Sequence, residues 1–463
     1  MAHGPDTDKL LQKISKSYGG KLNIGNLNIT SLPLLPPTLK ELALYHLNIT
    51  ELPPLPPTLE ELTLYHLNIT KIPPLPPTLK KLVFNCLNTI ELSPLPHNLK
   101  ELFLYKTTIS EYPTFPDSLE TLYYEKMDIQ ELPPLPPNLK ELGCIKINIT
   151  KLPPLPPTLK KLHCNTTNII ELPQLPPSLI SLSCNYLPLT KFPPLPPTLE
   201  QLYCGTLNLS EFPPLPPTIN HLSINCSDNI QYPPLPPRLE SIHIRYRDIT
   251  KLPAFPPTLK EFSVEYTDVT ELPPLPDTLE VLNCRVTKIT EIRSLPLGLK
   301  TLYCNTSPIK KLPPLPPGLE KLECRCTHIT RLPPLPDTLR ELSCAYTELQ
   351  ELPPLPPNLR SLYCADTLFI ELPTLPEHLY DFIYGRDESG NCLRREPGEF
   401  IPESIQSCTS RWKEWRRALY HKDMKRNQDR CLAIKEELMA AAWHPRRVEK
   451  WINECGIEVL DAL

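Results

Sequence analysis

The chain has 463 residues, a net charge of −4 and 64 prolines against 12 glycines. So small a net charge excludes a broadly basic nucleic-acid binder. A hydrophobic share of 40% with leucines at fixed spacing excludes the disorder that high proline alone would suggest. The N-terminal segment MAHGPDTDKLLQKISKSYGG lacks the apolar stretch of a secretory signal. No run reaches the ~18 apolar residues needed to span a bilayer. The expected location is therefore the cytoplasm, and the N-x-T triplets, such as Asn48-Ile49-Thr50, are read as unglycosylated repeat residues. The first predicted element is a short amphipathic helix over 7–18 with Leu10, Leu11 and Ile14. It sets an N-terminal helical cap at 1–20, because an exposed first strand needs covering.

From Ser31 to Ile370 a 20-residue pattern runs without insertion or deletion, giving 17 full repeats. A half repeat precedes them at 21–30 and a fading one follows at 371–390. In the repeat 51–70, ELPPLPPTLEELTLYHLNIT, the apolar set is Leu52, Leu55, Leu59, Leu62, Leu64 and Ile69. The alternation around Leu62 and Leu64 predicts a strand. One strand per repeat cannot bury its inner face alone, so a strict period of this length predicts parallel stacking into a solenoid. At ~4.8 Å per strand the ribbon would be about 85 Å long.

The pattern L-x-x-L-x-L/C-x-x-T-x-I followed by LPPLP resembles the leucine-rich repeat in its shortest form. It is similar to the repeats of bacterial type III effectors, some of which carry a ubiquitin-ligase domain. Its cysteine-and-threonine version is similar to repeat proteins of giant DNA viruses of protists. The resemblance covers 21–390 and implies a horseshoe-shaped solenoid. A parallel β ribbon would line the concave side, with polyproline II or extended segments on the convex side and a small helical tail at 391–463. One departure stands out. Where the family places a backbone-bonding Asn, this chain has Leu47, Leu67, Thr167, Thr267, Thr327 or Thr367. A threonine hydroxyl can replace that amide and a leucine cannot, so the early repeats need another turn geometry.

The PPLPP runs suit the return path. Proline has no N–H and a fixed φ, so it cannot join an inner sheet. Leu52 and Leu55 are expected to point inward. As free segments, such runs would be ligands for WW or SH3 domains; here the leucines commit them to the core. Cys144, Cys164, Cys184, Cys204, Cys284, Cys304, Cys324, Cys344 and Cys364 share one inward strand position, occupied earlier by Leu44, Leu64, Phe84 and Leu104. They are expected to form a ladder of reduced thiols acting as small hydrophobes. No paired C-x-x-C spacing points to zinc. The stacked His46 and His66 are read as surface residues, since no third ligand accompanies them. The varied outward strand positions are the candidate partner-binding face. They are Tyr45, Tyr65, Phe103, Tyr105, Tyr123 and Tyr203, then Arg245, Arg285 and Arg325, with His243, Asn165, Asn185, Asn225 and Asn305 among them. Tyr and Arg are the residue types that anchor protein interfaces.

Beyond 390 proline thins out. Ile405, Cys408, Trp412, Trp415 and Leu419 step along one helical face. Cys431, Ile434, Leu438 and Ala441 mark a second helix, and Pro445 opens a third with Val448, Trp451 and Ile452. The segment MAAAWHPRRVEKW is similar to tails of giant-virus repeat proteins. Arg411–Arg430 is basic and reads as the solvated face of a capping helix, with nucleic acid or a membrane as the alternative contact. The Cys-x-Asp of the effector ligases occurs only as Cys226-Ser227-Asp228, inside a repeat, and neither His421 nor His444 can be assigned to a thiol. No enzyme, cofactor or metal is expected. The function that results is a non-catalytic protein–protein interaction module holding a partner on the concave face. The resemblance implies a viral or bacterial protein directed at a host factor in the host cytoplasm. A structural or virion scaffold, or an adaptor recruiting ubiquitin machinery through the tail, are the alternatives.

Overall fold

The computed structural model describes residues 5–15, 20–87, 90–92, 94–110, 112–205, 212–225, 234–245, 249–365, 367, 373–386 and 392–395. The helices expected beyond residue 400, the basic segment Arg411–Arg430 and the Cys226–Asp228 triplet lie outside them. The chain divides into two compact units, Met1–Pro308 and Ile309–Leu463.

The first unit opens with a helix, Pro5–Ser15, packed against the strand Lys21–Gly25. Leu10 is buried while Leu11 is exposed. The Asp6 carboxylate accepts the Asn28 N–H at 3.0 Å and the Lys9 ammonium at 3.0 Å. These bonds hold the carboxyl below its usual range, the Asn28 backbone bond first. From there one strand follows every 20 residues, from Lys21–Gly25 through Glu41–Leu47 and Glu61–Leu67 to Thr301–Tyr303. Consecutive strands pair in parallel, and every residue faces the one 20 positions on, as Leu62 faces Leu82 and Leu102 faces Leu122. The register equals the sequence period, so like residues stack on like. Burial alternates along strands such as Lys81–Asn85 and Glu101–Tyr105, and Leu62, Leu64, Leu102 and Leu104 are fully covered.

The return path differs from expectation at one point. Leu52 and Leu55 are only half-buried, whereas Pro56 is buried. The buried set of that repeat is completed by Leu59, Leu62, Leu64, Leu67 and Ile69. The cause is a turn over Pro56–Leu59, in which Leu59 N–H donates to the Pro56 carbonyl at 3.1 Å. Pro57 then occupies the second turn position, where its fixed φ is preferred. The turn swings Pro56 inward and leaves Leu55 lying along the surface. The next residue, Thr58, bridges to the preceding repeat: its hydroxyl lies 2.8 Å from both the Pro37 and the Leu39 carbonyl oxygens and donates to them. Thr78, Thr158, Thr198, Thr218, Thr258 and Thr278 repeat this contact, and Asn98 and Asn138 reach the corresponding first carbonyl through their amides. A polar ladder thus holds carbonyls that the prolines, lacking N–H, cannot serve.

At the far end of many strands the chain turns through a left-handed residue. His46, His66, Lys106, Lys126, Lys146 and Val286 have φ between 46° and 54°. Such a conformation costs a non-glycine residue roughly 1–2 kcal/mol. It aims the N–H at the next repeat, as in Lys106 N–H to the Glu125 carbonyl at 2.9 Å.

The second unit repeats the plan. Lys321–Glu323, Glu341–Ser343, Ser361–Tyr363 and Asp381–Arg386 pair in parallel at the same offset. Cys392–Arg395, a strand the sequence did not announce, pairs antiparallel with Asp381–Arg386. Thr338 bridges the Pro317 and Leu319 carbonyls.

Candidate binding face

The outward strand positions alternate with the buried leucines, so the same period that builds the core displays one column of side chains beside another. In the first unit the aromatic candidates fall into two groups. Tyr45 and Tyr65 are register partners. His46 and His66 beside them stack with centroids 4.9 Å apart at 16°, and Tyr65 meets each histidine edge-on at 5.1 and 4.5 Å. The second group joins Phe103, Tyr105 and Tyr123 to His163. Phe103 lies 6.2 Å from Tyr105 at 11° and 5.5 Å from Tyr123 at 23°, and Tyr123 lies 6.1 Å from His163 at 30°. Burial lowers the affinity of His163 for a proton, while Glu141 acts the other way. The Tyr123 hydroxyl donates to Glu141 at 2.5 Å, and burial followed by this bond pushes its pKa up.

Glycine makes room for this arrangement. A Cβ on Gly143 would meet Tyr123 Cδ1 at 2.2 Å and Cε1 at 2.3 Å, so the Tyr123 ring lies down over the strand Glu141–Ile145. Tyr45 lies over Gly25 in the same way. Tyr203 stands apart from both groups, in register between Ser183 and Ser223.

The arginines are held differently. Arg245 pairs with Glu265 at 3.4 Å, and Glu265 also accepts from Ser263 at 3.1 Å and from Asn283. The Arg285 guanidinium lies 4.2 Å over the Tyr303 ring. In the second unit Arg325 pairs with Glu323 at 3.6 Å. Asn165 is tied into the ribbon, its carbonyl accepting from Asn185 N–H at 2.8 Å and from Ser183 at 2.9 Å. His163, Tyr303, Glu265 and Gly143 were not among the sequence candidates. Glycine at an outward strand position beside an aromatic one was the readable signal for the last.

Among the described residues, Ser241, His243 and Glu261 form a group that looks like hydrolytic machinery. Ser241 Oγ lies 3.2 Å from His243 Nε2 and donates to Glu261 at 3.1 Å, while Glu261 is 3.8 Å from the same Nε2. A catalytic triad needs the acid on the other ring nitrogen, so this is a surface network instead. The ladder thiols are buried, and Cys164, Cys184, Cys204 and Cys284 each donate to a carbonyl of the next strand at 3.4–3.6 Å. Burial pushes the thiols of Cys164, Cys284 and Cys324 up to about 12, the opposite of what a nucleophile needs. Among the described residues no group of three or more His, Cys, Asp or Glu is placed to hold a metal. No helix among them is long and apolar enough to cross a membrane.

No family model matches the chain, and no curated protein does. Solved structures do. YopM from Yersinia enterocolitica is 28% identical with a TM-score of 0.58, over 82% of this chain and 95% of that one. CroV588, described as a novel circular leucine-rich-repeat protein, is 22% identical with a TM-score of 0.55, over 80% of this chain and 60% of that one. With strands recurring every 20 residues on a buried leucine and cysteine ladder, the chain is a leucine-rich-repeat solenoid, similar in fold to YopM and to CroV588.

Proposed function

We propose that this protein is a non-catalytic interaction module that holds a protein partner on the outward face of its strand ribbon. One observation carries the reading: Phe103, Tyr105 and Tyr123 lie side by side on neighbouring strands and face solvent while the leucines between them fill the core. Aromatic anchors at the centre of a face are what protein interfaces use, and a solenoid ribbon offers them on a rigid support. Similarity to YopM and to CroV588, with the resemblance of the repeats to those of bacterial effectors and giant-virus proteins, supports a partner in a host cell and a site of action in the host cytoplasm. The 391–463 region serves in this reading as a cap or second contact, with the helix Pro5–Ser15 as the opposite cap.

The test is capture from host-cell lysate by the full chain, compared with Tyr65→Ala and Tyr105→Ala variants at high salt. A partner retained by the native chain and lost by at least one variant is the expected result. Equal retention by all three removes the ribbon face from the function. Capture that vanishes with salt alone transfers it to the basic segment 411–430.

A further inference from the structure

The row Phe103–Tyr123–His163, with Tyr105 beside it, is more specific than a generic aromatic patch. We infer that it docks a polyproline II segment of the partner that carries an arginine or lysine next to its prolines. This rests on the ribbon-face reading above and names the chemistry of its ligand.

Three observations converge. First, the rings form a continuous stacked row. Tyr123 lies flat because Gly143 offers no Cβ, and its neighbours are tilted from it by only 23° and 30°. With centroids only 5.5 and 6.1 Å apart, the rings overlap as an offset stack, each half-exposed on the outward side of the ribbon. A polyproline II segment is stiff before it binds, has no internal hydrogen bonds to lose, and is recognised by aromatic-lined surfaces of this kind. Second, the length fits. The two steps of 5.5 and 6.1 Å along the row cover a little more than one polyproline II turn, which rises about 9 Å. Third, the charge fits. On the strands that carry the row, Glu101–Tyr105, Thr121–Glu125, Glu141–Ile145 and Lys161–His163, the outward charged residues are Glu101, Glu125, Glu141 and Lys161. Lysines pair with the three glutamates at 3.3–3.6 Å. One of these, Lys81, already seats its ammonium 5.6 Å over the Phe103 ring, so a ring of the row accepts a cation. Exposed lysine pairs of this sort are weak. A guanidinium, with its planar bidentate fork and its tendency to stack on rings, can displace them.

The experiment is calorimetric titration of the full chain with a nonaproline peptide bearing two arginines at one end, the same peptide with two glutamates, and a neutral oligosaccharide. The arginine peptide should saturate and bind about tenfold more tightly than the glutamate peptide. His163→Ala and Tyr123→Ala should each weaken it by about fivefold or more. Gly143→Ala, which leaves every ring in place but lifts Tyr123 off the strand, should do the same while the circular dichroism spectrum stays native. Binding of no peptide, equal binding of both, or preference for the oligosaccharide would overturn the inference. So would self-association abolished by Tyr123→Ala, which would make a second copy's exposed Pro54 and Pro57 the occupant. If a partner is captured through Tyr65 yet no peptide binds, this inference fails alone; if peptide binds and no partner is captured, only the functional reading fails for that host.

Discussion

Repeats near the start of the first unit and repeats near its end share the buried leucines at positions nine and twelve, yet their strands differ in length. Glu41–Leu47 and Glu61–Leu67 run seven residues, with Leu47 still paired to Leu67. Val281–Asn283 stops after three. The difference tracks the seventeenth position of the repeat, although Leu87 and Leu187 follow strands of five residues. Leu47 and Leu67 have nothing but a buried side chain to offer and leave the backbone to the ladder. Thr287 donates its hydroxyl to the Cys284 carbonyl at 3.0 Å, and Ser307 reaches the same oxygen at 2.9 Å. The local bond closes a turn that competes with pairing. Thr167 does likewise beside the short strand Lys161–His163. Thr327, Thr347 and Thr367 do so in the second unit, where Lys321–Glu323, Glu341–Ser343 and Ser361–Tyr363 are also three residues long. Two threonines test the rule. Thr107 bonds the Tyr105 carbonyl instead, and the Thr267 hydroxyl has no partner among the described residues. Both of their strands keep five residues. The outward residue at position fifteen therefore sits on a ladder in one region, as Tyr45 and Tyr65 do, and on a turn in the other, as Arg285 does.

The two regions also differ at the fourteenth position, leucine or phenylalanine early and cysteine later, and this gives the largest expected effect. The folded thiols of Cys164 and Cys284, at about 12, lie above their unfolded value of about 8.5, so their contribution is present at neutral pH and lost as pH rises between these limits. Each should remove about 1.4 kcal/mol of stability per pH unit in that window. Urea unfolding at about pH 8 and pH 11 checks it: the loss should shrink in Cys164→Val, and a flat profile would contradict the burial. Next, Leu67→Thr should cost about 2–4 kcal/mol, since it empties a packed site and buries a hydroxyl. Amide exchange should then speed up at 65–67 as the strand shortens; unchanged protection there would sever strand length from position seventeen. Thr287→Val, which keeps the shape and deletes the hydroxyl, should cost a smaller ~1–2 kcal/mol, measured by thermal unfolding. The smallest effect on stability is chemical: iodoacetamide should label exposed Cys326 in the native chain and spare Cys164 and Cys284 until urea is added.

Much of this architecture could be read before any coordinates. The 20-residue period predicted one strand per repeat, the shared position of nine cysteines predicted a buried thiol ladder, and the threonine-for-asparagine exchange pointed to the turn that proves decisive. The return path was less legible. Leu55 looked like a core residue by its spacing, but the Pro56–Leu59 turn rotates it outward and buries Pro56 in its place. The constant Thr58 position was in plain view, yet only the neighbouring repeat reveals that it bridges two carbonyls. On the candidate face the individual aromatics were named from the sequence, but their division into a Tyr45–Tyr65 pair and a stacked row ending at His163 was not. That division depends on Gly143, whose lack of a side chain decides how Tyr123 lies.

By itself, then, the sequence determined the period, the strand positions and the register, because a repeat without slips stacks each residue on its own copy 20 positions away. Tertiary structure decided which hydroxyl takes which carbonyl, how long each strand runs, and whether a ring stands or lies flat. Those outcomes are contests between a local bond and one to the next repeat, and they are settled only when the neighbour is in place.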